Sequence, residues 1–165
     1  MSAISWWARK ARRFRKHLVA RVSPQERRDL AAWMRSAELA VFDAMHPADR
    51  RHGLDVVAAL RAGGVEDREI LVAGALHDCG KGDTGAGPRI AWSLGEVGGD
   101  RIRVAAAKVP GWGVPMARLR DHAGLSADLL AGAGLGARAV TLVREQEAPS
   151  DPEFGALFQA ADEAN

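Results

Sequence analysis

The sequence predicts an all-α protein, a bundle of short helices, and three observations carry that expectation. Apolar residues recur at spacings of three and four, no stretch alternates convincingly with period two, and Ser, Asp, Pro and Gly stand where helices would start and stop. The 165 residues, 47% hydrophobic and 27% charged, suit a globular chain rather than a disordered one. No apolar run approaches the ~18 residues of a membrane-spanning helix. The basic first 22 residues lack the continuous apolar segment of a signal peptide. Cys79 is the lone cysteine and has no internal disulfide partner. A cytoplasmic location is expected.

Two units are expected along the chain. Residues 1–22 carry seven Lys and Arg and no acid, with Trp7, Phe14, Leu18 and Val22 at spacings of 7, 4 and 4. This predicts a basic amphipathic helix over 5–22. Two readings of it stay open: a peripheral contact with an anionic membrane or nucleic acid, or an apolar stripe docked on the body. Residues 23–165 hold 16 basic and 21 acidic residues, a balance unlike a basic nucleic-acid-binding domain.

Within the second unit, Ser23-Pro24-Gln25-Glu26 reads as a capping box opening a helix to about Met34. Ser36 is placed to cap a short helix through Met45. Pro47 opens a helix with Leu54, Val56, Val57 and Leu60 on its apolar side, stopped by Gly63-Gly64. Asp67 caps the next, whose run Ile70 to Leu76 is apolar all round and therefore predicts a central, buried helix ending at His77-Asp78-Cys79-Gly80. A glycine-rich loop over 82–87 has no preceding strand and so is not a phosphate-cradling loop. Helices are expected over 88–97, 101–108, 114–120, 122–131, 137–147 and 152–164, with a turn at Pro110-Gly111-Trp112-Gly113.

Chemistry concentrates on the histidines. His17 lies in the basic leader and His46 in a turn before Pro47. His77-Asp78 closes the most apolar helix, where an imidazole beside a carboxylate is costly unless both are satisfied. A metal ion would satisfy them; a helix C-terminal histidine stabilised by the macrodipole is the other reading. His52 lies 25 residues upstream in an amphipathic helix, and Asp162 lies in the last helix.

His52, His77-Asp78 and Asp162 together resemble the H…HD…D pattern of the HD-domain metal-dependent phosphohydrolase superfamily. The segments agree: Ala48-Asp49-Arg50-Arg51-His52-Gly53-Leu54 is similar to the first-ligand helix, Leu76-His77-Asp78-Cys79-Gly80-Lys81 to the HDxGK signature, and Ala160-Ala161-Asp162 to the closing AAD. Arg120-Asp121-His122-Ala123-Gly124 resembles the HPxxG segment of members with extra histidines. The resemblance runs from about residue 24 to the end of the sequence and implies an HD-domain helical bundle over 23–165.

It implies His52, His77, Asp78 and Asp162 as metal ligands, a nitrogen and oxygen set suited to Mn, Fe, Co, Ni or Zn rather than Ca. Asp78 would also orient the attacking water. Lys81 and Arg120 would meet phosphate. Two-metal relatives keep a histidine on the penultimate helix where this chain has Gln146, so one tight metal is expected rather than two. His122 and Gln146 are the candidates for a second metal or for substrate, with Glu145 or Glu147 able to replace the missing imidazole. Trp92, Trp112 and Arg118 are further substrate candidates. The expected activity is hydrolysis of a phosphate mono- or diester, of a nucleotide in the first instance. The alternatives are a non-catalytic nucleotide- or metal-sensing module and a diiron oxygenase of the HD type.

Overall fold

A computed structural model describes residues 21–165, and the expected basic helix over 5–22 lies, but for its last two positions, outside the described residues. Arg21 and Val22 themselves precede the first helix. The described residues form helices joined by turns and loops, with no strand among them, as expected of an all-α chain. In chain order they form α1 (Pro24–Ala31), α2 (Ser36–Ala44), α3 (Pro47–Ala62), α4 (Arg68–Leu76), a 3-10 turn (Cys79–Lys81), α5 (Ala86–Gly98), α6 (Asp100–Ala107), α7 (Gly113–Gly132), α8 (Ala137–Arg144) and α9 (Gly155–Ala164).

Local capping chemistry sets most of the boundaries. Ser23 Oγ accepts from Glu26 N, while the Glu26 carboxylate accepts from Ser23 N at 2.8 Å, so two of the orphan donors at the start of α1 are satisfied. Asp67 caps α4 by accepting from Glu69 N and Ile70 N. At the end of α3, Gly64 takes φ +86°. Its N–H then reaches Arg61 O and the next N–H, of Val65, reaches Leu60 O, a Schellman closure that tucks Val65 into the core.

Some boundaries differ from expectation. Ser36 is the first residue of α2 rather than its cap; Arg35 takes that place, its N–H held by the Glu38 carboxylate at 2.7 Å. The glycine-rich loop ends at Gly85, because α5 already begins at Ala86. The two helices expected over 114–120 and 122–131 are one 20-residue helix, α7. The penultimate helix α8 stops at Arg144, and α9 starts at Gly155, later than position 152.

Helix α4 is the axis of the bundle. Every residue from Ile70 to Leu76 is buried, and the helix is packed by α3, α8, α2 and α7. Phe42, Val56, Leu60, Leu130, Leu142 and Phe158 complete the surrounding core. Each such side chain contributes about 1.5–3 kcal/mol through removal from water. Helices α3 and α4 approach closely at Gly53 of α3, where a Cβ would stand 2.2 Å from Ala75 O. Only glycine allows α3 and α4 to meet there. A second, smaller cluster of Ala106, Met116 and Leu119 joins α5 and α6 to α7.

Two ion pairs tie these layers. On the α2 side, Arg68 of α4 bonds the fully buried Glu38 and donates to Trp33 O at 2.8 Å. On the other side, Arg89 of α5 grips the buried Asp49 of α3 through two bonds of 2.8 and 2.6 Å. Its remaining donors hold Thr84 Oγ1 and Gly82 O, which fixes the loop between the 3-10 turn and α5.

Candidate metal centre

Helix α4 ends because the chain tightens after Leu76. His77 still has helical angles, Asp78 moves to φ −99° and ψ 4°, and Cys79–Lys81 wind as a 3-10 turn. That turn lies directly against α7. A Cβ on Gly80 would be 2.4 Å from His122 O and 2.6 Å from Ser126 N, and Ser126 Oγ accepts from Gly80 N at 2.8 Å. Glycine at position 80 therefore lets the segment carrying His77 and Asp78 reach the helix carrying His122.

The ring of His77 is 1% exposed. Its Nδ1–H donates to Gly74 O at 2.9 Å, which assigns the tautomer and turns Nε2 inward. Nε2 is buried without a hydrogen-bond partner, 3.4 Å from Asp162 Oδ1 and 3.7 Å from Asp78 Oδ2. From α3, His52 Nε2 lies 2.8 Å from the same Asp162 oxygen. The two imidazoles stand 5.0 Å apart at 65°. Phe158, one turn before Asp162 on α9, packs edge-on against the His77 ring.

His52, His77 and Asp162 each offer a ligand atom within 4.8 Å of the others, so the cluster could hold a metal ion. Its electrostatics favour a cation. Burial alone pushes the His77 imidazole down, but the Asp78 and Asp162 carboxylates outweigh it and hold it up at about 9. Burial likewise opposes ionisation of Asp162, and the His52 contact together with the nearby His77 imidazole reverses that, leaving the carboxyl far below its usual range.

Asp78 stands beside these three and links them to a second group. Its Oδ2 holds Lys81 Nζ at 2.5 Å, and its Oδ1 is 3.6 Å from His122 Nε2. His122 repeats the device seen at His77: Nδ1–H donates to the carbonyl three residues earlier, Leu119 O, at 2.8 Å. Burial and then the Lys81 cation push the His122 imidazole below its ordinary value, so its Nε2 keeps a lone pair near neutral pH.

Asp78, Lys81, His122 and Asp162 line a cavity of about 290 Å³. Its other walls are Gln146, Glu147, Gln159 and Glu163. Gln146 lies just past the C-terminal end of α8 rather than on it, buried, with neither amide atom hydrogen-bonded. Glu145 is turned to Ser150, accepting from its N and Oγ, and only Glu147 of that pair reaches the cavity.

Not every sequence candidate is brought here. Arg120 forms two 2.8 Å bonds with its neighbour Asp121, its side chain 68% exposed, and is absent from the cavity wall. Trp92 lies under the Arg103 guanidinium, Trp112 packs on the smaller core, and Arg118 donates to Gly80 O. Sequence reasoning missed Gln159 and Glu163. The signal was available: positions 159, 162 and 163 share one face of the last helix. Asp49 and Arg89, forty residues apart, gave no local signal. No family model matches the chain, and no curated protein or solved structure is significantly similar to it.

Proposed function

We propose that the chain is a metal-dependent phosphohydrolase of the HD type, cleaving a phosphate ester at the cavity between the 3-10 turn, α7 and α9. One observation supports this most: His77 Nε2 is buried and unpartnered between two carboxylates and beside a second imidazole, a donor set of two nitrogens and two carboxylates. His52, His77, Asp78 and Asp162 would hold one divalent transition ion, Mn, Fe, Co, Ni or Zn. When bound, such an ion acidifies a water and withdraws charge from a phosphoryl oxygen.

The remaining work falls to this chain's side chains. Lys81 offers its ammonium to the phosphate as a point charge. Asp78, sharing its oxygens between the cluster and His122, orients the attacking water. His122, neutral and held by Leu119 O, takes a proton at Nε2 and returns it to the departing alcohol. A nucleotide, the substrate expected from the sequence, would keep its base outside, since His122 is the one aromatic ring among the described lining residues.

The test is direct. Protein loaded with Mn²⁺, Co²⁺ or Zn²⁺ should hold about one ion per chain and release phosphate from p-nitrophenyl phosphate. Asp162→Asn should weaken metal binding by at least the ~10–100-fold that loss of a ligand's supporting partner costs, and abolish phosphate release with it. No metal uptake by the wild-type protein would overturn the reading.

A further inference from the structure

Every described side chain in the cavity wall is polar or charged. Together they bring four carboxylates, two amides, one imidazole and one ammonium, with no aliphatic side chain and no Trp or Phe ring. Ligand clefts are ordinarily lined for the most part by apolar and aromatic groups. A ligand with a hydrocarbon or aromatic body therefore finds no side chain here against which to shed its water.

Within that wall, Gln146 is the side chain whose own chemistry is unspent. It is 5% exposed, and neither its carbonyl oxygen nor its amide nitrogen has a hydrogen bond. The other amide differs, since Gln159 gives an N–H to Glu163 at 3.0 Å. A buried amide carries two donors and an acceptor, and leaving both ends bare is destabilising. A ligand hydroxyl satisfies either end, because it both donates and accepts. An ammonium only donates, and an ether or carbonyl oxygen only accepts.

We infer that the substrate is a small phosphate monoester of a polyhydroxy alcohol, with one of its hydroxyls bonded to the Gln146 amide. The assignment rests on the hydrolase reading and names its substrate class. Lys81 is the one Lys or Arg among the described lining residues, so a single phosphate has a cationic side chain to meet and a second anionic group has none. Size agrees, since a cavity of about 290 Å³ falls at the lower limit of the roughly 300–1,000 Å³ of ligand clefts. In the reaction the water oxygen joins phosphorus, the bond from phosphorus to the alcohol oxygen breaks, and the water proton passes to that oxygen. Inorganic phosphate and the free polyol leave.

Glycerol phosphate, esterified at a terminal hydroxyl, and propyl phosphate share one carbon chain, differ only in hydroxyls, and supply the test. Metal-loaded protein should use glycerol phosphate with a kcat/KM about tenfold higher, the equivalent of one buried hydrogen bond. That ester should also give the larger rise in Tm on addition. Gln146→Leu should bring both the kcat/KM ratio and the two Tm shifts toward equality. Comparing ratios cancels the inherent difference between the two leaving alcohols. Should the leucine variant fail to fold or to take up metal, Gln146→Met, unbranched and of similar length, carries the same test. A glutamine that only supports the fold would lower kcat/KM for both esters alike. Equal use of the two esters, a ratio unchanged by the substitutions, or turnover of nucleotides alone would overturn the substrate class and leave the hydrolase standing. No phosphate release from any ester, p-nitrophenyl phosphate included, would overturn both.

Discussion

A histidine on a helix has one inexpensive way to fix its tautomer, and this chain uses it twice. At His77 and at His122 the Nδ1–H is given to the carbonyl three residues earlier, which leaves each Nε2 aimed away from its own helix. The opposite strategy appears at Glu26, whose carboxylate is saturated. Arg51 donates to it at 2.5 Å, and the Ser23 N–H and hydroxyl at 2.8 Å each. The Arg51 bond, then the Ser23 bonds, lower its carboxyl from 4.5 to about 2. A carboxyl depressed on folding adds stability that is present above about pH 4.5 and disappears as pH falls toward about 2. Glu26→Gln should therefore be less stable than wild type at pH 6, by no more than ~1 kcal/mol for so exposed a pair. In urea denaturation at pH 3 that gap should narrow; a gap that widened instead would contradict the assignment.

At the scale of elements, the site depends on the contact between the 3-10 turn and α7. Gly80→Ala places a Cβ within 2.4 Å of His122 O and 2.6 Å of Ser126 N, and backbone cannot swing aside as a side chain can. The cost should be about 1–3 kcal/mol, a fall of roughly 3–10 °C in Tm, with weaker metal binding alongside. An unchanged midpoint would mean that α7 is not seated as described. The same helix shows where the sequence was hard to read. Gly124 in its interior argues against a continuous 20-residue helix on propensity, and packing against the turn and α8 prevails over it. Starts and stops governed by local chemistry, at Ser23, Asp67 and Gly63-Gly64, were legible because their partners are two to five residues away. The approach of His52, His77 and Asp162 was expected from the resemblance of their motifs to a known family and not from local chemistry. The Asp49–Arg89 clamp and the composition of the cavity wall depend on packing between distant segments, and no local pattern announces them.

For the molecule as a whole, the candidate site belongs to the large core around α4, while α5 and α6 form an appendage on α7 with Ile90, Leu94, Val97 and Val104 exposed. No helix among the described residues is long and apolar enough to cross a membrane. All the proposed metal ligands lie beyond residue 50, so a chain lacking residues 1–20 should bind metal with unchanged affinity in calorimetry. If the six Lys and Arg of that segment meet an anionic surface, the same deletion should abolish liposome binding, and salt should weaken the binding of the full chain.

His52 and Asp162 touch across 110 residues of sequence. A ribosome adding about 5–20 residues per second needs roughly 5–20 s to travel that distance. Once His77 and Asp78 have been added, for most of that interval the nascent chain has both imidazoles and Asp78 but not the carboxylate that α9 will bring. The cluster is therefore completed late in synthesis, and an ion met earlier would be held by fewer ligands and exchanged more easily. Any metal that the finished protein binds there would then be selected after α9 docks.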